Sequence, residues 1–131
     1  LIGKVGDYLL DTNIVIPILN QDTALLSKIA GLTLYIPSIV LGELYFGARR
    51  SSHFTANLAR IETFRTRCIS LSCDENTADL YAQIKQHLFA KGRPIPDNDV
   101  WTAAMARQHA LTLVSRDEHF NEVDGLTLEK W

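Results

Sequence analysis

Five short apolar runs, each separated from the next by a stretch of helical periodicity, constrain the fold of this chain more than any other feature. Residues 8–10 (Tyr8-Leu9-Leu10), 33–36, 69–71, 112–115 and 126–129 read as strands. Strands divided by helices cannot pair as hairpins. The economical solution is an α/β fold with a mostly parallel central sheet flanked by helices on both faces. Ligands of such sheets bind beyond the carboxyl ends of the strands. A chain of 131 residues, 47% of them hydrophobic, supplies one packed core, so a single domain spanning residues 1–131 is expected.

Capping and breaking residues divide the intervening stretches. Thr12-Asn13 turns the chain into a short helix over 14–19, with Pro17 tolerated in its first turn. Thr23 caps a helix over 24–30 that Gly31 ends, and another helix covers 39–49. Leu58, Ile61 and Phe64 form a buried stripe on a helix over 53–67. Asp74-Glu75 opens a long helix ending near Lys91-Gly92, and Pro94-Ile95-Pro96 cannot continue it. Asp97 or Asn98 then caps a helix reaching about residue 110, and a short helical turn lies near 118–121.

No apolar run approaches the roughly 20 residues needed to cross a bilayer, and the first six residues lack the long apolar centre of a secretory signal. The cytoplasm is the expected compartment. Cys68 and Cys73 flank a strand and have no Cys-X-X-Cys spacing, so they read as reduced thiols without chemistry. His53, His87, His109 and His119 form no pair at helical ligand spacing, which leaves them surface or capping roles and gives a zinc site little support.

Four acidic residues sit where a core should least tolerate them. Asp11 closes the first strand, and Glu43 interrupts Ile39-Val40-Leu41-Gly42 before Leu44-Tyr45-Phe46. Asp99 opens Val100-Trp101-Thr102-Ala103-Ala104, and Asp117 follows the strand over 112–115 within Ser115-Arg116-Asp117. A carboxylate at the edge of a core loses hydration that is expensive to replace unless a cation compensates. Asp11 and Asp117 lie past the carboxyl ends of strands, and Glu43 and Asp99 fall in helices entered from that side, so one cleft can collect all four. Glu43 is the most diagnostic, because no polar face accommodates it on its helix. Asp97 reads more simply as a helix cap.

The net charge of −2 does not advertise a nucleic-acid binder, yet charge is unevenly spread. Arg49, Arg50, Arg60, Arg65 and Arg67 have only Glu62 as an acidic neighbour, and Lys85, Lys91 and Arg93 make a second basic segment. Phosphate contacts need clustered cations more than a high overall charge, although solvated helix faces explain the same pattern.

Asp11-Thr12-Asn13, Glu43 in its apolar helix, Asp97-Asn98-Asp99-Val100-Trp101-Thr102-Ala103-Ala104 and Ser115-Arg116-Asp117, in this order and at these spacings, resemble a PIN-domain ribonuclease over essentially the whole chain. More narrowly, the pattern is similar to a VapC-type toxin of a toxin–antitoxin module. The resemblance implies a PIN-like fold with Asp11, Glu43, Asp99 and Asp117 as the acidic site, and Asp11 and Asp99 as principal ligands of magnesium. It assigns Thr12, Asn13 and Ser115 to arranging the cleft. It also implies an RNA substrate, a homodimer and a small antitoxin lying across the active-site side; Leu44, Tyr45 and Phe46 could help receive it, although core packing explains them more simply. Thr102 departs from the apolar residue often found in relatives, which bears on local packing.

The donor set suits the implied chemistry. Mg2+, with Mn2+ as a substitute, favours oxygen ligands and keeps several waters, as carboxylates on separate elements allow. Hydrolysis by water activated at the ion would leave 5′-phosphate and 3′-hydroxyl ends. Arg49 and Arg50 would meet the RNA at the rim. Two other classes stand beside this one. A haloacid-dehalogenase-like phosphatase would want a second acid where Asn13 stands. A PIN-like module could bind RNA or protein without cutting, and a PIN nuclease of RNA maturation is a third possibility within the nuclease class.

Overall fold

The structure, a computed structural model, describes residues 6–131. The amino-terminal segment discussed above as a failed secretory signal lies, but for Gly6, outside the described residues. In chain order the elements are β1 (Asp7–Leu10), α1 (Thr12–Leu19), α2 (Thr23–Ile29), β2 (Thr33–Pro37), α3 (Ser38–Arg50) and α4 (Phe54–Arg67). There follow β3 (Ile69–Leu71), α5 (Glu75–Ala90), α6 (Asp97–Gln108), β4 (Thr112–Val114), a 3-10 turn (Glu118–Glu122) and β5 (Leu128–Glu129). The five strands form one sheet in the order β3-β2-β1-β4-β5, and every pairing is parallel.

Side chains alternate across the strands and divide the core in two. Leu10, Leu34, Ile36 and Val114 face α1–α4 and pack with Ile14, Val40, Leu44, Ile61 and Phe64. Leu9, Tyr35 and Leu113 face the other way, against Ile84 and Leu88 of α5, the Ala103–Ala106 stretch of α6, and Phe120. Leu9, Leu10, Leu113 and Val114 are fully buried, and each such aliphatic side chain stabilises the fold by about 1.5–3 kcal/mol. Small residues let α6 approach closely. Thr102 fits among them because its hydroxyl donates to the Asn98 carbonyl at 3.0 Å, so the departure at this position is satisfied within the helix.

Several boundaries differ from the sequence expectation for identifiable reasons. Helix α1 starts at Thr12, which puts Pro17 in its second turn, beyond the position where a missing N–H is harmless. The helix is only two turns long, and the Asn20 N–H closes it on the Ile16 carbonyl at 3.0 Å. Asp22, not Thr23, caps α2, its side chain accepting the Leu25 N–H at 3.1 Å. Gly31 and Gly92 follow α2 and α5 with φ of +79° and +70°, backbone that favours glycine. Asp74 and Thr77 form a capping box on α5. Among the described residues, no helix is long and apolar enough to cross a membrane.

Candidate active site

The order of the strands fixes where a cleft can open. From β1 the chain proceeds outward to β2 and β3, then returns to place β4 and β5 on the other side of β1. The sheet therefore reverses its order between β1 and β4, and a crevice forms at their carboxyl ends. Leu10 is in register with Val114, so Asp11 and Ser115 leave the sheet side by side, with the Asp11 N–H donating to the Val114 carbonyl at 3.0 Å.

Asp11 is 6% exposed and held from two sides. The Ser115 hydroxyl donates to Oδ2 at 2.8 Å, and the Thr12 N–H donates to Oδ1 at 2.9 Å. Ser115 also accepts the Asp117 N–H at 3.0 Å, and Asn13 Nδ2 donates to it at 3.3 Å. Asn13 Oδ1 in turn accepts the Arg116 N–H at 3.1 Å. Thr12, Asn13 and Ser115 thus lock the end of β4 to the first turn of α1.

The remaining acids enter from separate elements. Glu43 reaches across from α3 and accepts the Thr12 hydroxyl at 2.9 Å. Asp99 lies in the first turn of α6, where an acid also favours the helix dipole. Asp117 caps the 3-10 turn by accepting the His119 N–H at 2.9 Å, so it is both a cap and a member of the cluster.

The carboxylates feel one another. Burial pushes the Asp11 carboxyl above the usual range, and Asp117 adds to the rise, against the lowering hydrogen bonds of Ser115 and Thr12. Burial likewise raises Asp99, with Asp11 and Asp117 adding repulsion and the bond to His119 opposing them. Glu43 rises by burial of its carboxylate and by repulsion from Asp11 and Asp99, although Thr12 lowers it. Concentrated negative potential of this kind marks a place for a cation.

Not every expectation about these residues holds. Glu43 was expected to lack a polar face, but α3 presents Gly42, Glu43, Phe46, Gly47, Arg49 and Arg50 to solvent while Val40, Leu44 and Ala48 go to the core. Of its apolar neighbours in sequence, Val40 and Leu44 turn to the core, while Phe46 shares its exposed face. Leu44 is buried, the Tyr45 hydroxyl donates to Glu62 at 2.6 Å, and Phe46 is 63% exposed. Asp97 neither caps α6 through its side chain nor joins the cluster. It accepts from Lys85 at 2.9 Å and from the Tyr81 hydroxyl at 3.1 Å, because Asp97 and Asp99 project to different sides of the helix.

One histidine does more than its spacing in sequence suggests. His119, expected in a surface or capping role, is 48% exposed, and its Nδ1 also lies 2.9 Å from Asp99 Oδ2 and 3.0 Å from Asp117 Oδ1. Its bond to Asp99 raises its own pKa, and Asp117 adds to the effect. Asp99, Asp117 and His119 can each offer one ligand atom to a metal, these atoms lying within 4.8 Å of one another. The available signal was local: His119 stands two residues after Asp117, within a turn that Asp117 caps. Spacing between histidines could not reveal it, because its partners are carboxylates.

The basic segments also resolve into separate roles. Arg65 pairs with Glu62 at 2.7 Å, and Arg67 donates to the Ile29 and Leu32 carbonyls at 3.0 and 2.9 Å. Lys85 is engaged by Asp97, and Lys91 lies 3.6 Å from Glu122. Arg49 and Arg50 instead extend over the Phe54 and Phe46 rings, at 5.1 and 5.5 Å from the ring centroids, on the exposed end of α3. Burial pushes the Cys68 thiol up to about 11, in keeping with an unreactive thiol.

A parallel sheet carrying a four-carboxylate cluster at its order reversal defines a class, and comparison with known proteins agrees. The PIN domain model matches residues 8–126, and the chain belongs to that family. Within it, the similarity is to VapC ribonucleases. The chain is 37% identical to ribonuclease VapC2 of Haemophilus influenzae over 129 residues, covering 95% of this chain and 97% of the relative. It is 34% identical to the tRNA(fMet)-specific endonuclease VapC of Shigella flexneri over 128 residues, with the same coverage. The crystal structure of DNA-bound VapBC from Salmonella typhimurium superposes with a TM-score of 0.90 at 31% identity, covering 95% of this chain and 98% of that one.

Proposed function

We propose that this protein is a metal-dependent endoribonuclease and the toxin of a VapBC-type toxin–antitoxin pair, with Mg2+ as its ion and Mn2+ as a substitute. The observation that carries the proposal is the convergence of Asp11, Glu43, Asp99 and Asp117 at the β1/β4 crevice, three of them with raised carboxyl pKa. Carboxylate oxygens from four separate elements fit a hard divalent ion that keeps part of its water shell. Asp11 and Asp99 are its principal ligands in this reading, with Glu43 and Asp117 completing the set. When bound, the ion would ease deprotonation of a water and neutralise charge developing on the attacked phosphate.

The chain's own residues supply the rest. Ser115 and Asn13 hold the Asp11 carboxylate in orientation, Thr12 steers Glu43 toward the cleft, and the Asp117 cap fixes the start of the 3-10 turn. Arg49 and Arg50, free of the pairing that engages Arg65 and Lys85, are the cations we assign to RNA phosphates. A small antitoxin protein and a second copy of this chain are the proposed partners. An apolar groove of about 210 Å³ lined by Ile16, Leu19, Leu44, Gly47 and Ile61 next to Glu43, on the helix that also exposes Phe46, suits the antitoxin.

The test is incubation of antitoxin-free protein with cellular RNA in Mg2+, Mn2+ or chelator, beside Asp99→Asn, with mapping of the ends. Transfer RNA is the first substrate to examine, given the name of the Shigella relative. Metal-dependent cuts with 5′-phosphate and 3′-hydroxyl ends, lost in Asp99→Asn, are expected. Cyclic phosphate ends would refute the hydrolytic mechanism, and folded, metal-binding protein that leaves all RNA intact would favour a non-catalytic binding module.

A further inference from the structure

We infer that His119 ligates the metal through Nδ1, so that the centre combines carboxylates with one imidazole instead of being built from oxygen alone. The inference rests on the metal-dependent reading of this site proposed above. The Nδ1 atom lies 2.9 Å from Asp99 Oδ2 and 3.0 Å from Asp117 Oδ1. Adjacent ligands of an octahedral ion with bonds of about 2.1 Å are about 3.0 Å apart. Nδ1 therefore stands from each of the two carboxylate oxygens at the separation that neighbouring ligand positions require, and the three atoms lie within 4.8 Å of one another. A hydrogen bond has the same length, so once Nδ1 has released its proton to solvent the ring can pass from bonding the two carboxylates to sharing a cation with them while the backbone stays where it is.

The placement of the ring is built into the fold. The His119 N–H is held by Asp117 Oδ1 at 2.9 Å, and the Asp117 N–H by Ser115 Oγ at 3.0 Å. The next residue, Phe120, is fully buried and anchors the turn in the core beside α6. The side chain of His119 is 48% exposed, which leaves solvent access for the waters that complete a coordination shell. His87, by contrast, is tied to Asp124 at 2.8 Å, and neither it, His53 nor His109 belongs to the metal-competent group.

An imidazole donor changes which ions the centre prefers. Carboxylates suit Mg2+ and Mn2+, whereas imidazole favours later first-row ions such as Co2+. Replacing His119 should therefore weaken Co2+ binding more than Mg2+ binding.

The experiment is Mn2+ titration of the full chain without RNA, followed by pulsed electron paramagnetic resonance on natural-abundance and 15N-histidine-labelled protein. Directly bound 14N modulation that converts to the 15N pattern on labelling, and disappears in His119→Gln, is the expected result. The ratio of Co2+ to Mg2+ affinity should also fall about tenfold or more in His119→Gln. Mn2+ bound without nitrogen modulation in the wild-type protein would overturn the inference while leaving the metal site standing. Failure of Mn2+ to bind the wild-type protein would overturn both the inference and the reading on which it rests.

Discussion

Replacing Ser115 with alanine isolates the group that couples β4 to the acidic cluster. Its hydroxyl donates to Asp11 at 2.8 Å and accepts from the Asp117 N–H at 3.0 Å, and both Ser115 and Asp11 are 6% exposed. A hydrogen bond to a buried charged group contributes about 1.5–3 kcal/mol and one between neutral groups about 1 kcal/mol. Asp117 borders solvent, and water can replace part of what its N–H loses. We therefore expect Ser115→Ala to cost about 2 kcal/mol in metal-free protein at pH 7.5, a fall in Tm of roughly 6–10 °C for a chain of this size. The dependence on pH separates this account from simple packing. Ser115 lowers the pKa of Asp11, so it favours the ionised carboxylate. Its full contribution is present where Asp11 is charged and shrinks as pH falls through a folded pKa that burial holds above the ordinary value. Urea unfolding in chelator at pH 7.5 and 4.5 should show the gap between wild type and variant narrowing toward about 1 kcal/mol at the lower pH. A gap that is constant, or that widens in acid, would refute the reasoning.

Four further outcomes follow from the same geometry. Asp11, Glu43 and Asp99 have folded pKa values above their ordinary ones, so their contribution to metal-free stability is present below the ordinary carboxylate range and is lost as pH rises through the raised values. Asp99→Asn should thus become more stable relative to wild type between pH 4.5 and 7.5 in thermal melts. Mg2+ at a hundredfold excess over its Kd should stabilise only the wild type, by about 2.7 kcal/mol at pH 7.5, and much less in acid where protons compete; equal stabilisation of both proteins would remove the ion from this site. Alanine at both Arg49 and Arg50 should weaken RNA binding and reduce its logarithmic salt slope by about 1.4, measured by fluorescence anisotropy across salt concentrations; an unchanged slope would place the RNA elsewhere. Phe120→Ala should cost about 3–5 kcal/mol in urea unfolding and also weaken Mn2+ binding, because the ring anchors the turn carrying Asp117 and His119; undiminished Mn2+ affinity would uncouple that turn from the centre.

The parallel α/β architecture was legible in the residues because it depends on local periodicity. The same pattern located every strand, and the capping and stopping residues set most helices to within a residue or two. Pro17 and Thr23 misled at helix starts, where neighbouring Thr12 and Asp22 compete as boundary residues and only the tertiary setting selects between them. The acids were legible too, since a carboxylate at the end of an apolar run is unusual in itself. Glu43 drew notice for a reason the fold removed: the buried residues around it in sequence, Val40, Leu44 and Ala48, lie on another face of α3.

The sequence by itself determined which residues could be strands, which faces were apolar, and that Asp11 and Asp117 would leave the sheet at its carboxyl edge. Those properties follow from side-chain alternation and from turn chemistry within a few residues. Only the tertiary structure decided that β1 and β4 are neighbours, with Leu10 opposite Val114, because strand order is set by how helices pack on the two faces and leaves no local mark. That single adjacency brings Ser115 to Asp11 across 104 positions of sequence. It also decided that Asp97 belongs to Lys85 and that His119 belongs to Asp99, since hydrogen bonds and charge act over a few ångströms in space regardless of separation along the chain.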